Sequence, residues 1–363
     1  MKNIYFFILF ICFLFSCEPL SETFDEKTID CQYYEKQDII SIPQVDSTIM
    51  VMTWNIRFGA ARIPWFGDAC GQRVILDKNE VEFNLQGICD LINSVKPQIL
   101  LLQEVDLSSK RTAYINQVQY ILDHTFLNYA VYASGWKSQF IPSNGLGRMD
   151  CGNAILSVWK IEGANRHSLP LRNDADALTK YFYLRDNFIS ARIAVPGINN
   201  LYAVNVHLVS TTGDDTKKRQ ADEFLNVVKD MSNSGKIIIS GGDFNLIPPN
   251  ADTIDFCLID MCPGEDFHSP GDNPFHKDGS NYEAGITWIQ PIYDYLNPSL
   301  SLTDYKLNQY ENFTHTLNPE HFWCRMIDYL FTNTDWIDNS HKVHQETMEL
   351  SDHAPVSALW RVK

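Results

Sequence analysis

One apolar run after another in this chain stops on a side chain that can hold a cation or move a proton. Ile49–Ile56 (IMVMTWNI) carries Asn55 at its end, and Ile99–Leu102 leads into Gln103-Glu104. Leu201–His207 closes on His207, Ile237–Ser240 runs towards Asp243 and Asn245, Asp328 lies within Arg325–Thr332, and Asp352-His353 precedes Ala354–Val362. Short runs rich in Ile, Val and Leu read as buried strands. One polar strand end means only a solvated end. Recurrence at strand after strand favours a fold that brings the ends together, giving an oxygen-rich acidic site beside two imidazoles. Such a site suits a hard cation, Mg2+ or Mn2+.

Between these runs the period changes to that of helices. Val81, Leu85, Ile88, Leu91, Ile92 and Val95 share one face of a helix over Glu80–Val95, and Pro97 stops it. Further helices are expected over Ile115–Thr125 and over Asp215–Lys229, with Ala221, Leu225 and Val228 turned inward. Tyr129–Ala133, Asn153–Trp159, Phe188–Val195 and Lys342–Glu349 read as additional strands. Many short strands with few helices imply the α/β class: a four-layered α/β sandwich of two packed, mainly antiparallel β-sheets flanked by helices. Residues 248–298, rich in Pro, Gly, Asn and Asp, read as a loop-rich insertion over one end of the sandwich.

The chain opens with Lys2 and an unbroken apolar run, Ile4–Phe15, too short for a comfortable membrane span. It ends in Leu14-Phe15-Ser16-Cys17, which resembles a bacterial lipobox, although Phe15 is bulkier than the small residue usual there. The expectation is a lipoprotein signal peptide over 1–16 and lipid on Cys17, placing the protein at the cell envelope. Residues 17–48 are polar and acidic and read as a flexible tether, with a reach of roughly 30 Å as a coil. The catalytic domain is expected over 49–363. Setting aside Cys12 and Cys17 leaves Cys31, Cys70, Cys89, Cys151, Cys257, Cys262 and Cys324, an odd set in which at least one thiol is unpaired or intermolecular. Cys257 and Cys262 could close a small loop.

The order and wording of the polar ends resemble the endonuclease/exonuclease/phosphatase superfamily. The motifs are MTWNIRFG (52–59), QEVD (103–106), GNAILS (152–157), VNVHL (204–208), GGDFN (241–245), IDYLF (327–331) and SDHAPV (351–356), covering Met50 to Trp360. The resemblance implies metal-dependent hydrolysis of phosphoesters. It makes Glu104 the principal metal ligand, with Asn55 and Asp352 in the shell or one water away. It makes Asp243 the base for the attacking water, and Asn245 and His207 contacts for the phosphate. His353 would donate to the phosphoryl oxygen, oriented by Asp328. Trp323-Cys324-Arg325 is superficially similar to the WCDR stretch of inositol polyphosphate phosphatases, but the aspartate falls at 328, so that specificity is not transferred.

A net charge of −16 and a pI near 5.0 argue against a broad basic surface for nucleic acid. A small phosphodiester or phospholipid substrate at the envelope is therefore preferred. The alternatives are an extracellular nuclease and a catalytically inactive binding lipoprotein. The membrane would be met through the lipid anchor, and nothing in the sequence points to an obligate protein partner. Lys217-Lys218-Arg219 reads as a solvated helix start, with contact to a substrate phosphate as the alternative, His341 and His344 as surface residues, and Trp65, Trp136 and Trp288 as core or rim aromatics. His268 and His276 read as solvated loop residues rather than ligands of a second metal.

Overall fold

A computed structural model of the chain describes residues 20–41, 44–66, 71–210, 214–249, 251–252, 259–260 and 286–362. Its strands are β1 (Thr28–Asp30), β2 (Gln32–Glu35), β3 (Thr48–Asn55), β4 (Ile99–Asp106), β5 (Tyr129–Ile141), β6 (Gly147–Ser157) and β7 (Ile161–Ser168). They continue with β8 (Asn187–Ile193), β9 (Leu201–His207), β10 (Ile237–Asp243), β11 (Asn297–Pro298), β12 (Asp328–Thr332), β13 (Lys342–Val343) and β14 (Val356–Arg361). The helices are α1 (Lys78–Val95), α2 (Gln117–His124), α3 (Ala177–Phe182), α4 (Thr216–Asn233), α5 (Gln290–Tyr295) and α6 (Leu302–Leu307).

The strands form two seven-stranded sheets, ordered β1-β7-β8-β9-β10-β12-β11 and β13-β14-β3-β4-β6-β5-β2. Each contains one parallel pair, β9 with β10 and β3 with β4; the other pairs are antiparallel. Parallel neighbours need a crossover, supplied by α4 in the first sheet and α1 in the second. This is the α/β sandwich expected from the sequence. Helix α1 begins with a capping box between Asp77 and Glu80 and ends at left-handed Lys96, just before Pro97. Val81, Leu85, Ile88 and Ile92 are fully buried on its inner face. Each such side chain contributes about 1.5–3 kcal/mol relative to exposure.

A polar link joins the sheets beneath the strand ends. Gln103 of β4 donates to Asn205 Oδ1 of β9 at 2.6 Å. Asn205 Nδ2 donates back to the carbonyls of Leu102 and Ala154 at 2.7 and 2.9 Å. With both residues fully buried, this exchange fixes how the sheets slide past one another.

The structure corrects the expected tether. β1 pairs antiparallel with β7 and β2 with β5, so one short stretch adds an edge strand to each sheet and crosses between them at buried Cys31. Upstream, the Leu20 carbonyl accepts from Ser138 Oγ at 2.6 Å and Gln139 N at 2.8 Å. The folded unit therefore reaches back at least to residue 20, well before 49. Edge pairing is made by the backbone and leaves half the side chains in water, so a polar composition does not forbid it.

Other boundaries also move. Lys342–Glu349 is strand only at Lys342–Val343, then turns through a 3-10 segment at Gln345–Thr347. β7 and α3 had no counterpart in the sequence reading. His341 and His344 are not surface residues: His344 is buried and bonds Ser357 Oγ through Nε2 at 2.9 Å, while His341 Nδ1 meets Ser299 Oγ at 2.8 Å. Trp288 is half-buried against the core. Cys31, Cys89, Cys151 and Cys324 are free thiols. Of the loop-rich insertion, α5 and β11 belong to the folded unit, whereas 253–258 and 261–285, including Cys257, Cys262, His268 and His276, lie outside the described residues. The signal segment, Cys17 and Cys70 do too. Among the described residues no helix is long and apolar enough to cross a membrane.

Candidate active site

Strand register assembles half of the site. Across the first sheet Asn187 sits opposite His207, His207 opposite Asp243, and Asp243 opposite Asp328. Directly opposed residues point to the same face, so one rung places an imidazole between an amide and two carboxylates.

The second sheet supplies the rest. Asn55 is opposite Gln103, and a bulge between Leu102 and Val105 breaks the alternation of β4. Glu104 sits in that bulge with φ 54°, a left-handed conformation that re-aims its carboxylate. His353 reaches the cluster from the turn before β14, where its carbonyl accepts from Trp54 Nε1 at 2.9 Å.

Asp243 is the hub. Its Oδ1 accepts from Asn245 N at 2.9 Å. Its Oδ2 accepts from Asn55 Nδ2 at 3.2 Å and lies 3.4 Å from His207 Nε2 and 3.6 Å from His353 Nε2. Asn55 Nδ2 also donates to Glu104 Oε1 at 3.0 Å, while its Oδ1 accepts from Arg57 N at 3.0 Å. With that oxygen engaged, Asn55 braces the two carboxylates here and would meet a cation at one remove. Asn245 has φ 51° and donates from Nδ2 to the Leu208 carbonyl at 2.9 Å.

His353 Nδ1 lies 2.9 Å from Asp328 Oδ2. A carboxylate there can only accept, so Nδ1 carries the proton and Nε2 faces Asp243. Burial alone would lower the His353 pKa. The Asp328 and Asp243 carboxylates, with the Asp328 hydrogen bond, outweigh it and lift the imidazole to about 10. It is thus a cation at neutral pH.

Asp352 lies beside His353 and His315. Its Oδ2 lies 3.4 Å from Nε of Arg57, a buried guanidinium that also donates to the Ala61 and Ile63 carbonyls. His315 completes this side, its ring 4.4 Å from that of His353, and burial followed by the charge on His353 holds it well below the ordinary histidine range.

All the sequence-predicted residues that the structure describes therefore gather in one region; Cys17 lies outside the described residues. His315, Arg57 and Lys217 were not foreseen. Lys218 and Arg219 are indeed solvated ion-pair partners of Asp222 and Asp215. Lys217 instead turns under the site and donates to the Asn245 carbonyl at 2.7 Å. Burial lowers its pKa to about 8, with Asp243 opposing. A run of three cations carries no signal that its first member points inward.

The donor set fits a hard divalent cation. Ligand atoms of Asp243 and Asp328 lie within 4.8 Å of one another and of His353, as do those of His315 and Asp352; His353, protonated on both nitrogens, is no ligand, which leaves the carboxylates to hold the ion. Glu104, partly open to solvent, and Asp352 offer the carboxylate oxygens that such an ion prefers.

Two packed mixed sheets whose strand ends converge on carboxylates, amides and imidazoles define an α/β sandwich with one polar site at its strand ends. The chain belongs to the Endonuclease/Exonuclease/phosphatase family, whose profile matches residues 52–353. Members of this family are phosphoesterases and nucleases that typically depend on a divalent metal. Among solved structures, it is similar to an endonuclease/exonuclease/phosphatase from Beutenbergia cavernae, at TM-score 0.56 and 19% identity, covering 87% of this chain and 72% of that one. A family protein from Leptotrichia buccalis matches at TM-score 0.52 and 13% identity, covering 85% and 98%. A 3' phosphatase from Neisseria, bound to a product DNA hairpin, matches at TM-score 0.50 and 18% identity, covering 85% and 98%. At these identities the likeness is one of fold. Among curated proteins none is detectably similar in sequence.

Proposed function

We propose that this protein is a divalent-metal-dependent phosphodiesterase that works at the cell envelope from a lipid on Cys17. The observation that carries the hydrolytic reading is Asp243, buried between His207 and a His353 that Asp328 keeps protonated. Asp243 is a carboxylate within reach of a water at the phosphorus and accepts its proton as the new P–O bond forms and the ester P–O bond breaks. His353 donates from Nε2 to a phosphoryl oxygen as charge develops there. His207 and Asn245 flank the same position and hold the phosphate in line. Glu104 and Asp352 would hold the cation, with Asn55 alongside, and when bound it offsets the repulsion between phosphate and this acidic cluster.

The envelope reading is supported by the lipobox-like Leu14–Cys17 and by how far back the folded unit reaches. Only two residues, Glu18 and Pro19, separate Cys17 from Leu20, which bonds to β5. That is about 10 Å at full extension, so the lipid would hold the domain against the bilayer.

Mg2+-dependent hydrolysis of bis-p-nitrophenyl phosphate is the test of the chemistry. Asp243→Ala should reduce kcat by about 10²–10⁴-fold. Turnover that survives this change would remove Asp243 as the base, and no turnover with Mg2+ or Mn2+ on phosphodiester, nucleic acid or phospholipid would remove the enzymatic reading. For the anchor, the full chain should enter the detergent phase on cloud-point partitioning and Cys17→Ser should leave it. Equal partitioning of both would overturn the lipid assignment.

A further inference from the structure

Beside Glu104 and His207 the surface drops into a cavity of about 160 Å³. Phe58, Trp65, Trp136 and Leu184 give it apolar walls, and Cys151-Gly152 lies along it. The walls are held rigidly. Phe58 meets Trp65 edge to face at 5.1 Å, and the Arg111 guanidinium lies 3.5 Å from the Phe58 ring centre and 5.0 Å from that of Trp65. Arg111 is itself clamped by Asp106. Trp65 and Trp136 are each anchored through the indole N–H, to the carbonyls of Val74 and Phe182 at 3.1 and 2.7 Å. At Gly152 any Cβ would sit 2.0 Å from the Ala133 carbonyl oxygen, so the backbone itself forms that part of the lining.

The charged groups of the lining are matched or buried: burial raises the pKa of the Asp186 carboxyl, and its Oδ2 accepts from Gln220 Nε2 at 2.9 Å. The Arg111 cation is matched by Asp106, and burial keeps the Cys151 thiol protonated. Asn153 Nδ2 donates to the carbonyl and Oδ1 of Asn187, and Asn187 Nδ2 donates to the Ser134 carbonyl. What remains is a slot between flat hydrophobic faces, opening on the residues that would hold the phosphate. Its volume is close to that of an engineered apolar cavity of about 150 Å³ that takes benzene. One six-membered ring fits; an acyl chain does not.

Building on the proposed phosphodiesterase activity, we infer that this cavity binds a single planar ring carried directly on the ester oxygen of the substrate phosphate, so that the preferred substrates are aryl phosphodiesters rather than alkyl ones. Trp136, Phe58 and Trp65 are the residues that set this preference. The phosphate lies at His207, beside Glu104, while the ring reaches into the slot from the ester oxygen.

The test compares inhibition of the Mg2+-loaded enzyme by phenyl phosphate, thymidine monophosphate and methyl phosphate, which share the phosphate and differ in what it carries. A ring should improve Ki at least about tenfold over methyl phosphate in the wild type. Trp136→Ala should bring the ratio close to one and Trp136→Phe should restore most of it. Thymidine monophosphate, whose base is set off from the phosphate by the sugar, should bind more weakly than phenyl phosphate, and the reverse order would overturn the aryl assignment. Equal Ki for methyl and ring-bearing phosphates in an active wild type would overturn this inference alone, and that comparison needs no variant to fold. An enzyme without turnover or phosphate binding would overturn the phosphodiesterase reading beneath it. An unchanged ratio in a folded Trp136→Ala would remove the cavity as the ring's site.

Discussion

Two buried ionic clusters stand on either side of Glu104, and they are built to opposite standards. In the first, Asp106 accepts from Arg111 Nε and Nη2 and from Thr112 Oγ1, each at 2.9 Å, so both carboxylate oxygens are engaged. In the second, Asp243 collects two imidazoles at 3.4 and 3.6 Å, longer than hydrogen bonds, and Asp328 Oδ1 is buried with no hydrogen-bond partner among the described residues. The satisfied cluster fixes a shape. The unsatisfied one keeps donors and acceptors in reserve for a cation, a water and a phosphate, at a cost the surrounding sheets must absorb.

The largest expected effect that would break this contrast is on stability. Asp106→Ala leaves a buried guanidinium unpaired and should cost about 3–5 kcal/mol, read as a fall in the urea midpoint. Asp243→Ala, which removes a carboxylate from a crowded acidic site, should leave that midpoint unchanged or raise it. If both variants were equally destabilised, the division into structural and functional clusters would fail.

A smaller effect sharpens the comparison through pH. Because the folded His353 pKa is raised above its ordinary value of 6.5, to about 10, its protonation stabilises the fold fully below pH 6.5 and is lost as pH rises through about 10. Activity that needs this proton should have its alkaline limb near pH 10. Asp328→Asn should move the limb towards 7 and lower kcat at neutral pH about 10²-fold. A limb that stays in place would mean that Asp328 does not control the charge of His353.

The same contrast shows what the sequence could disclose. Glu104 and Asp106 lie two residues apart in QEVD, and the motif gave only the first a role. Nothing local separates a ligand from a structural acid, because the partner that decides it, Arg111, is met only after the chain has turned. Strand ends were legible, since apolar runs must stop somewhere and the register of β8, β9, β10 and β12 aligns their stops. His315 was not, because its place against His353 comes from a single bridge between the turns at those two residues. β1 and β2 were not either, since they are held by backbone pairing at two sheet edges while their composition is that of a linker.

Four residues of the site region, Arg57, Phe58, Glu104 and Asn245, adopt left-handed φ of 44–54° without being glycine. Such conformations cost of order 1–3 kcal/mol each. Glycine at any of them would relieve that strain while deleting a side chain the site or its cavity wall uses. A laboratory selection for heat resistance, run without demand for turnover, should therefore erode this protein from its active site outward.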